Sequence, residues 1–276
     1  MLGWPTEVFV KLLALIVFSA NAWGQWINYP VPGTPRMKNG KPNLTARAPK
    51  SGDGKPDLSG IWESLPPEKS KTGHESFADN STDDLNVFDL ENFMADGAPI
   101  PLKPEAAVLF QKRMQEGGAD KPSGRCLPHG IPDAMLIPAD FKIVQNPGLT
   151  IILYEEFNHY RQVFTDGRPQ PHDPNPAWFG YSIGKWDGDV FVIDTVGFND
   201  RTWLDDHGHP HTEALHTIER FRRQDFGHMD LQVTIDDPTA YTAPWKATIH
   251  FRLLPDTELI ESICENEKDA QHEVRK

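Results

Sequence analysis

From residue 141 onward, apolar and polar side chains alternate in short runs punctuated by turn residues. Met229, Leu231, Val233 and Ile235 alternate with Asp230, Gln232, Thr234 and Asp236, and Trp245, Ala247, Ile249 and Phe251 alternate with Lys246, Thr248, His250 and Arg252. Residues two apart on an extended backbone share a face, so each run predicts a strand with one buried side. Shorter runs at 141–145, 149–155, 160–165, 181–186 and 190–196 read the same way, separated by Asn146-Pro147-Gly148, by residues 156–159 and by Asp187-Gly188. Asp-Gly between alternating segments is a strong hairpin signal. For the last two runs, setting Asp236 opposite Lys246 also sets Gln232 opposite His250 and Asp230 opposite Arg252, which places opposite charges across the pair and keeps the apolar set on one face. The pattern predicts eight to ten antiparallel strands between residues 141 and 264. Alternation in consecutive hairpins favours a closed barrel over a two-sheet sandwich.

A first strand is expected at 56–63, with Gly60-Ile61-Trp62 at its centre. Such a Gly-x-Trp triplet resembles the first strand of lipocalin-like barrels, where the Trp closes one end. Helical spacing occurs once, at 103–117, where Pro104 suits the first helical position, Glu105 the positive N-terminal end and Gly117 the stop; Ala106, Leu109, Phe110 and Met114 would form its packing face. The rest of 64–138 reads as an irregular insertion, including a short helical turn at 85–94 and a Pro-rich stretch around His129, itself read as a loop residue. Residues 25–55 read as an extended surface arm or linker. The expected fold is therefore all-β and mainly antiparallel: a lipocalin-like β-barrel at 56–276 with one packed helix and a long irregular N-terminal region.

Composition adds a compartment. Lys11, an apolar run at 12–18 and small residues at Ser19, Ala20, Ala22 and Gly24 read as a signal peptide over 1–24, an uncleaved anchor being the alternative. The chain is then periplasmic or secreted, with no stable membrane insertion after cleavage. In that compartment its two cysteines, Cys126 and Cys264, are expected to bridge. A net charge of −13 makes nucleic acid and anionic membrane surfaces poor partners.

Candidate chemistry concentrates in residues 197–221, which read as a polar loop leading into a strand and hold four of the eleven histidines. His207, His209 and His211 alternate, with Glu213 following, and could offer imidazoles on one face to a divalent metal such as zinc, manganese or iron. The spacing resembles the first motif of the cupins, although Arg201 stands where that motif carries glycine and no second motif follows. The plainer alternative is a loop whose histidines face solvent or backbone carbonyls. Acid–base catalysis would use His211 with Glu213 or Asp200. Arg161, Arg168, Tyr181, Trp178 and Trp203 are candidate substrate contacts, the arginines alternatively pairing with Asp166, Asp173 or Glu219. There is no Gly-x-Ser-x-Gly elbow, no phosphate-cradling loop and no dinucleotide fingerprint.

The strings GKPDLSGIW, CLPHGIP, FTDGRPQPHDPNPAWFGYSIGKWDGDVFVIDTVGFNDRTWLD, GHPHTEALHTIERFRR and VTIDDPTAYTAPW together resemble a large group of secreted bacterial proteins abundant in acidobacteria. The resemblance implies export and a single domain of conserved length, and it carries no activity, substrate or catalytic residue. Two functions are expected from different classes. One is a small-molecule-binding barrel whose pocket mouth is formed by the 166–178 and 199–213 loops. The other is a hydrolase, lyase or isomerase using His211 and Glu213, with or without a metal.

Overall fold

Alternation closes into a cylinder. The computed structural model describes residues 30–67, 89–94 and 98–264; the expected signal peptide lies outside them. Nine strands follow one another around a closed barrel: β1 (Gly60–Leu65), β2 (Phe141–Asn146), β3 (Leu149–Tyr154), β4 (Tyr160–Phe164), β5 (Tyr181–Asp187), β6 (Val190–Val196), β7 (His216–Arg223), β8 (His228–Asp236) and β9 (Trp245–Leu253). β9 returns to pair with β1, Trp62 opposite Leu253. Every neighbouring pair is antiparallel except β4 and β5, which run parallel and share only two paired positions, Val163 with Ser182 and Phe164 with Ile183. A parallel neighbour cannot be reached by a tight turn, and the Pro-rich loop 165–180 supplies the crossover.

The last hairpin forms with the expected faces but a different register. Thr234 faces Lys246, Gln232 faces Thr248 and Asp230 faces His250, while Asp236 lies opposite His216 on β7. A slip of two residues leaves every side chain on its own face, so core burial does not distinguish the two registers. Arg252 instead reaches Glu63 on β1, at 2.6 Å.

The interior is filled by side chains. Phe141, Phe191, Phe221, Phe251, Leu231 and Trp62 are all fully or almost fully buried. Trp62, on β1 as the Gly-x-Trp triplet suggests, donates its ring N–H to the Leu58 carbonyl at 3.0 Å. The preceding Gly60 has φ +140, and a Cβ there would lie 2.5 Å from Leu253 Cδ1, so the β1–β9 closure requires glycine. One polar layer crosses the lumen: Arg161 on β4 forms a two-pronged pair with Glu219 on β7 and also donates to Ser182 and Thr195.

The helix α1 (Pro104–Gln115) starts with proline at its first turn, as expected. Only Ala106 and Phe110 of its expected face are buried; Leu109 is exposed, because α1 packs on the 202–211 loop rather than on the barrel wall. Residues 30–55 lie along the barrel surface: Phe226 and Gly227 donate backbone N–H groups to Ala46 and Leu44, and Arg36 pairs with Asp256 at 2.7 Å. Cys126 and Cys264 form a disulfide that ties the segment before β2 to the chain after β9. No helix among the described residues is long and apolar enough to cross a membrane.

Candidate functional site

The stretch 202–211 is the reverse of a solvated loop: every residue in it is buried. Many of its polar groups are held by one another and by the elements that cover them, but His209 Nε2 is buried without a hydrogen bond. Asp205 organises it. One carboxylate oxygen accepts the backbone N–H groups of Gly208 and His209, both at 3.1 Å; the other accepts the Leu90 N–H at 3.0 Å and lies 2.6 Å from His209 Nδ1. The α1 helix lids this loop. Phe110 stacks on the His209 ring with centroids 4.2 Å apart, and Arg113 donates to the Gly208 carbonyl while lying over Trp203. Burial alone would raise the Asp205 pKa and lower that of His209, but their contact reverses both, leaving Asp205 below and His209 above its usual range.

Asp206 faces the other way, into a second buried cluster. Lys121 holds one of its oxygens at 2.5 Å. His129 Nδ1 lies 2.6 Å from Asp133 and 3.6 Å from Asp206, and its Nε2 lies 3.0 Å from Glu156. Burial works against the charged imidazole, yet Asp133 and Glu156 outweigh it and raise its pKa from 6.5 to about 10. Burial, then the neighbouring Asp206, raises Asp133 to about 7 against the pull of His129. His129 is thus a fixed cation at neutral pH, stapling the 126–138 segment to the loop. Both folded-state pKa values are raised, so both contributions to stability are lost as pH rises. That of His129 is complete below 6.5 and disappears through about 10. Thermal unfolding followed against pH should show the melting temperature falling across that interval. His129→Gln should lower it at pH 6 and flatten the fall; an equally steep fall in the variant would refute the assignment.

No hydrogen bond joins His211 to Glu213 or Asp200, although Asp200 is near enough to favour the charged imidazole. His211 Nε2 accepts from the Thr202 hydroxyl at 2.7 Å, its Nδ1 donates to the Thr212 carbonyl at 3.2 Å, and burial lowers its pKa. Glu213 and Asp200 are exposed. The metal set is also redistributed. Among the described residues, carboxylate and imidazole donors come within 4.8 Å of one another in two buried groups, Asp89 with Asp205 and His209, and His129 with Asp133 and Asp206. Of the three alternating histidines only His209 belongs to either group. The 204–209 stretch is a tight turn with Leu204 N–H bonded to the His209 carbonyl, not a strand, so the histidines do not share a face.

The expected substrate contacts also divide. Arg161 is inside the barrel, 2% exposed, paired with Glu219. Arg168 is exposed, paired with Asp166 at 2.6 Å and lying over the Phe164 ring. These are the ion pairs that the plainer alternative names. Trp203 lies under Arg113. Trp178 and Tyr181 both line a cleft of about 690 Å³ beside the parallel seam. Strands β4 and β5 are paired only at 163–164 with 182–183, so their N-terminal flanks splay apart. Trp178, Phe179, Tyr181, Phe164, Tyr160 and His159 line the wedge, with Leu127 and Pro128 on its rim. His159 stands near Phe179; burial lowers its pKa against the opposing pull of Glu156, whose backbone it also hydrogen-bonds. The 166–178 loop is joined to the base of the 199–213 loop through Ala177, whose N–H bonds the Gly197 carbonyl and whose carbonyl accepts from Asn199. The latter loop then turns inward, so the two do not frame a mouth to the lumen.

Sequence reasoning missed His129, Asp133 and Lys121, although the i, i+4 spacing of His129 and Asp133 was a signal. It also missed Asp89 and Glu91, which sit in the acidic stretch read only as a short helical turn. Comparison with protein-family models, with curated proteins and with solved structures returned no match.

Proposed function

We propose that the protein is an exported β-barrel that binds a small, largely apolar or aromatic molecule in the cleft over the β4–β5 seam. The observation that carries this reading is the cleft itself: about 690 Å³, walled largely by aromatic rings, with His159, Asn158, Gln162 and the two tyrosines among its polar residues. Ligand sites are typically concavities of about 300–1,000 Å³, mostly apolar, with a few placed polar groups. The lumen, by contrast, is occupied by its own side chains. The disulfide, the apolar run at 12–18 with its small-residue flank, and the resemblance to secreted bacterial proteins support export to a periplasmic or extracellular site. An acid–base enzyme built on His211 and Glu213 is the weaker reading, because both ring nitrogens of His211 are engaged within the protein and Glu213 faces solvent.

The test is a thermal-shift screen of aromatic and apolar metabolites, with hits followed by quenching of tryptophan fluorescence. Trp178→Ala should weaken binding of a true cleft ligand by roughly tenfold or more, the loss of a buried aromatic contact being worth at least about 1.4 kcal/mol. Hits that bind Trp178→Ala as well as the native protein would overturn the location. A screen without hits would count against a binding function.

A further inference from the structure

We infer that Asp89, Glu91 and His209 form a buried binding site for one divalent first-row transition-metal ion, distinct from the aromatic cleft, with Asp205 positioning the imidazole. Four observations carry it. First, donor atoms of Asp89, Asp205 and His209 lie within 4.8 Å of one another and all three residues are fully buried, which places the Asp89 carboxylate beside the His209–Asp205 pair. Second, His209 Nε2 is buried and makes no hydrogen bond. The carboxylate oxygen of Glu91 stands 4.0 Å from that nitrogen, beyond hydrogen-bond reach. A proton on Nε2 would therefore be an N–H buried without an acceptor, at the full desolvation cost of such a group. An ion with bonds of about 2.0–2.2 Å to nitrogen and oxygen spans such a gap while contacting both. Third, the opposite ring nitrogen is fixed. His209 Nδ1 lies 2.6 Å from Asp205, whose oxygens are further held by the N–H groups of Leu90, Gly208 and His209. A carboxylate on the far nitrogen is the arrangement that sets the tautomer and ring plane of metal-bound histidines. Fourth, the other two donors arrive together. Asp89 caps the 3-10 turn Leu90–Phe93 by accepting the Glu91 N–H, and the Leu90 N–H bonds Asp205, so one short turn carries both carboxylates to the His209 ring.

The donor set selects the class of ion. One imidazole with carboxylates suits zinc, iron or manganese, whereas calcium and magnesium prefer oxygen alone. Two carboxylate ligands would neutralise a dication, which lowers the cost of holding it in an interior from which water is excluded. The second buried group is not equivalent. There both nitrogens of His129 are engaged by Asp133 and Glu156, and Lys121 already occupies Asp206, so its cations are the protein's own.

The experiment uses the untagged mature protein prepared from the periplasm without chelator. Its metal content is read by elemental analysis, and ZnCl₂ and MnCl₂ are titrated calorimetrically into chelator-stripped protein. The expected result is about one equivalent of ion per chain with a single saturable site, weakened at least tenfold in Glu91→Gln and in His209→Gln and unchanged in the exposed control His250→Gln. Glu91→Gln is the deciding variant because it is isosteric and the residue is only partly buried; circular dichroism confirms that it folds even where His209→Gln does not. The proposal is overturned if the native chain carries no metal and takes up neither ion, or if binding is the same in Glu91→Gln as in the native protein.

Discussion

Glu219→Ala should destabilise the protein by about 3–5 kcal/mol, the usual consequence of removing one partner from a buried ion pair. Arg161 and Glu219 are each almost entirely inaccessible, and the guanidinium has no route to water when the carboxylate is gone. Ser182 and Thr195 satisfy two of its N–H groups but not its charge. Urea denaturation at pH 7 reads the loss as a shift in midpoint. The pair itself need not be stabilising relative to an apolar one, so Arg161→Met combined with Glu219→Leu should recover most of the loss. A single variant within about 1 kcal/mol of native would show that water reaches the lumen and would undo the packed-interior description.

The second large effect concerns the disulfide. Cys126 and Cys264 are separated by 138 residues, and the chain-entropy argument credits a loop of that size with about 5 kcal/mol. The bridge also anchors the strap that follows β9, which is otherwise held by sparse contacts such as Asn158 with the backbone of Ser262. Replacing both cysteines by serine should lower the melting temperature by about 10–20 °C for a domain of this size. Addition of a reductant to the native protein should do the same, and an unchanged melting temperature in both would contradict the expectation.

The fold was legible because it rests on a period of two. Alternation placed Met229, Leu231, Val233 and Ile235 on the core face, and they are all buried. The same period could not choose between registers two residues apart, and the choice went to Ile235 opposite Trp245. The site was legible only in outline. Residues 202–211 stood out as a concentration of His and Asp, but polarity suggested exposure, because composition does not show that Asp205 and His209, or Asp206 and Lys121, would satisfy each other. Arg161 was read as a substrate contact by its charge, whereas its position in β4, two residues before inward-facing Val163, points it inward. Glu219, between Thr217 and Phe221 on the core face of β7, carries the same signal. Two opposite charges on the buried faces of different strands are the trace that such a pair leaves in a sequence.

Because β1 is flanked by β2 on one side and by β9 on the other, the cylinder is sealed by strands from opposite ends of the described chain. Until β9 docks, the growing sheet has two bare rims, one along β1 and one along its last-formed strand, and unpaired rims are templates for joining other chains. Closure is a contact of very high sequence separation, the kind that makes folding slow. β9 is the last of the nine strands in chain order, so until it docks the sheet stays unsealed and open to aggregation.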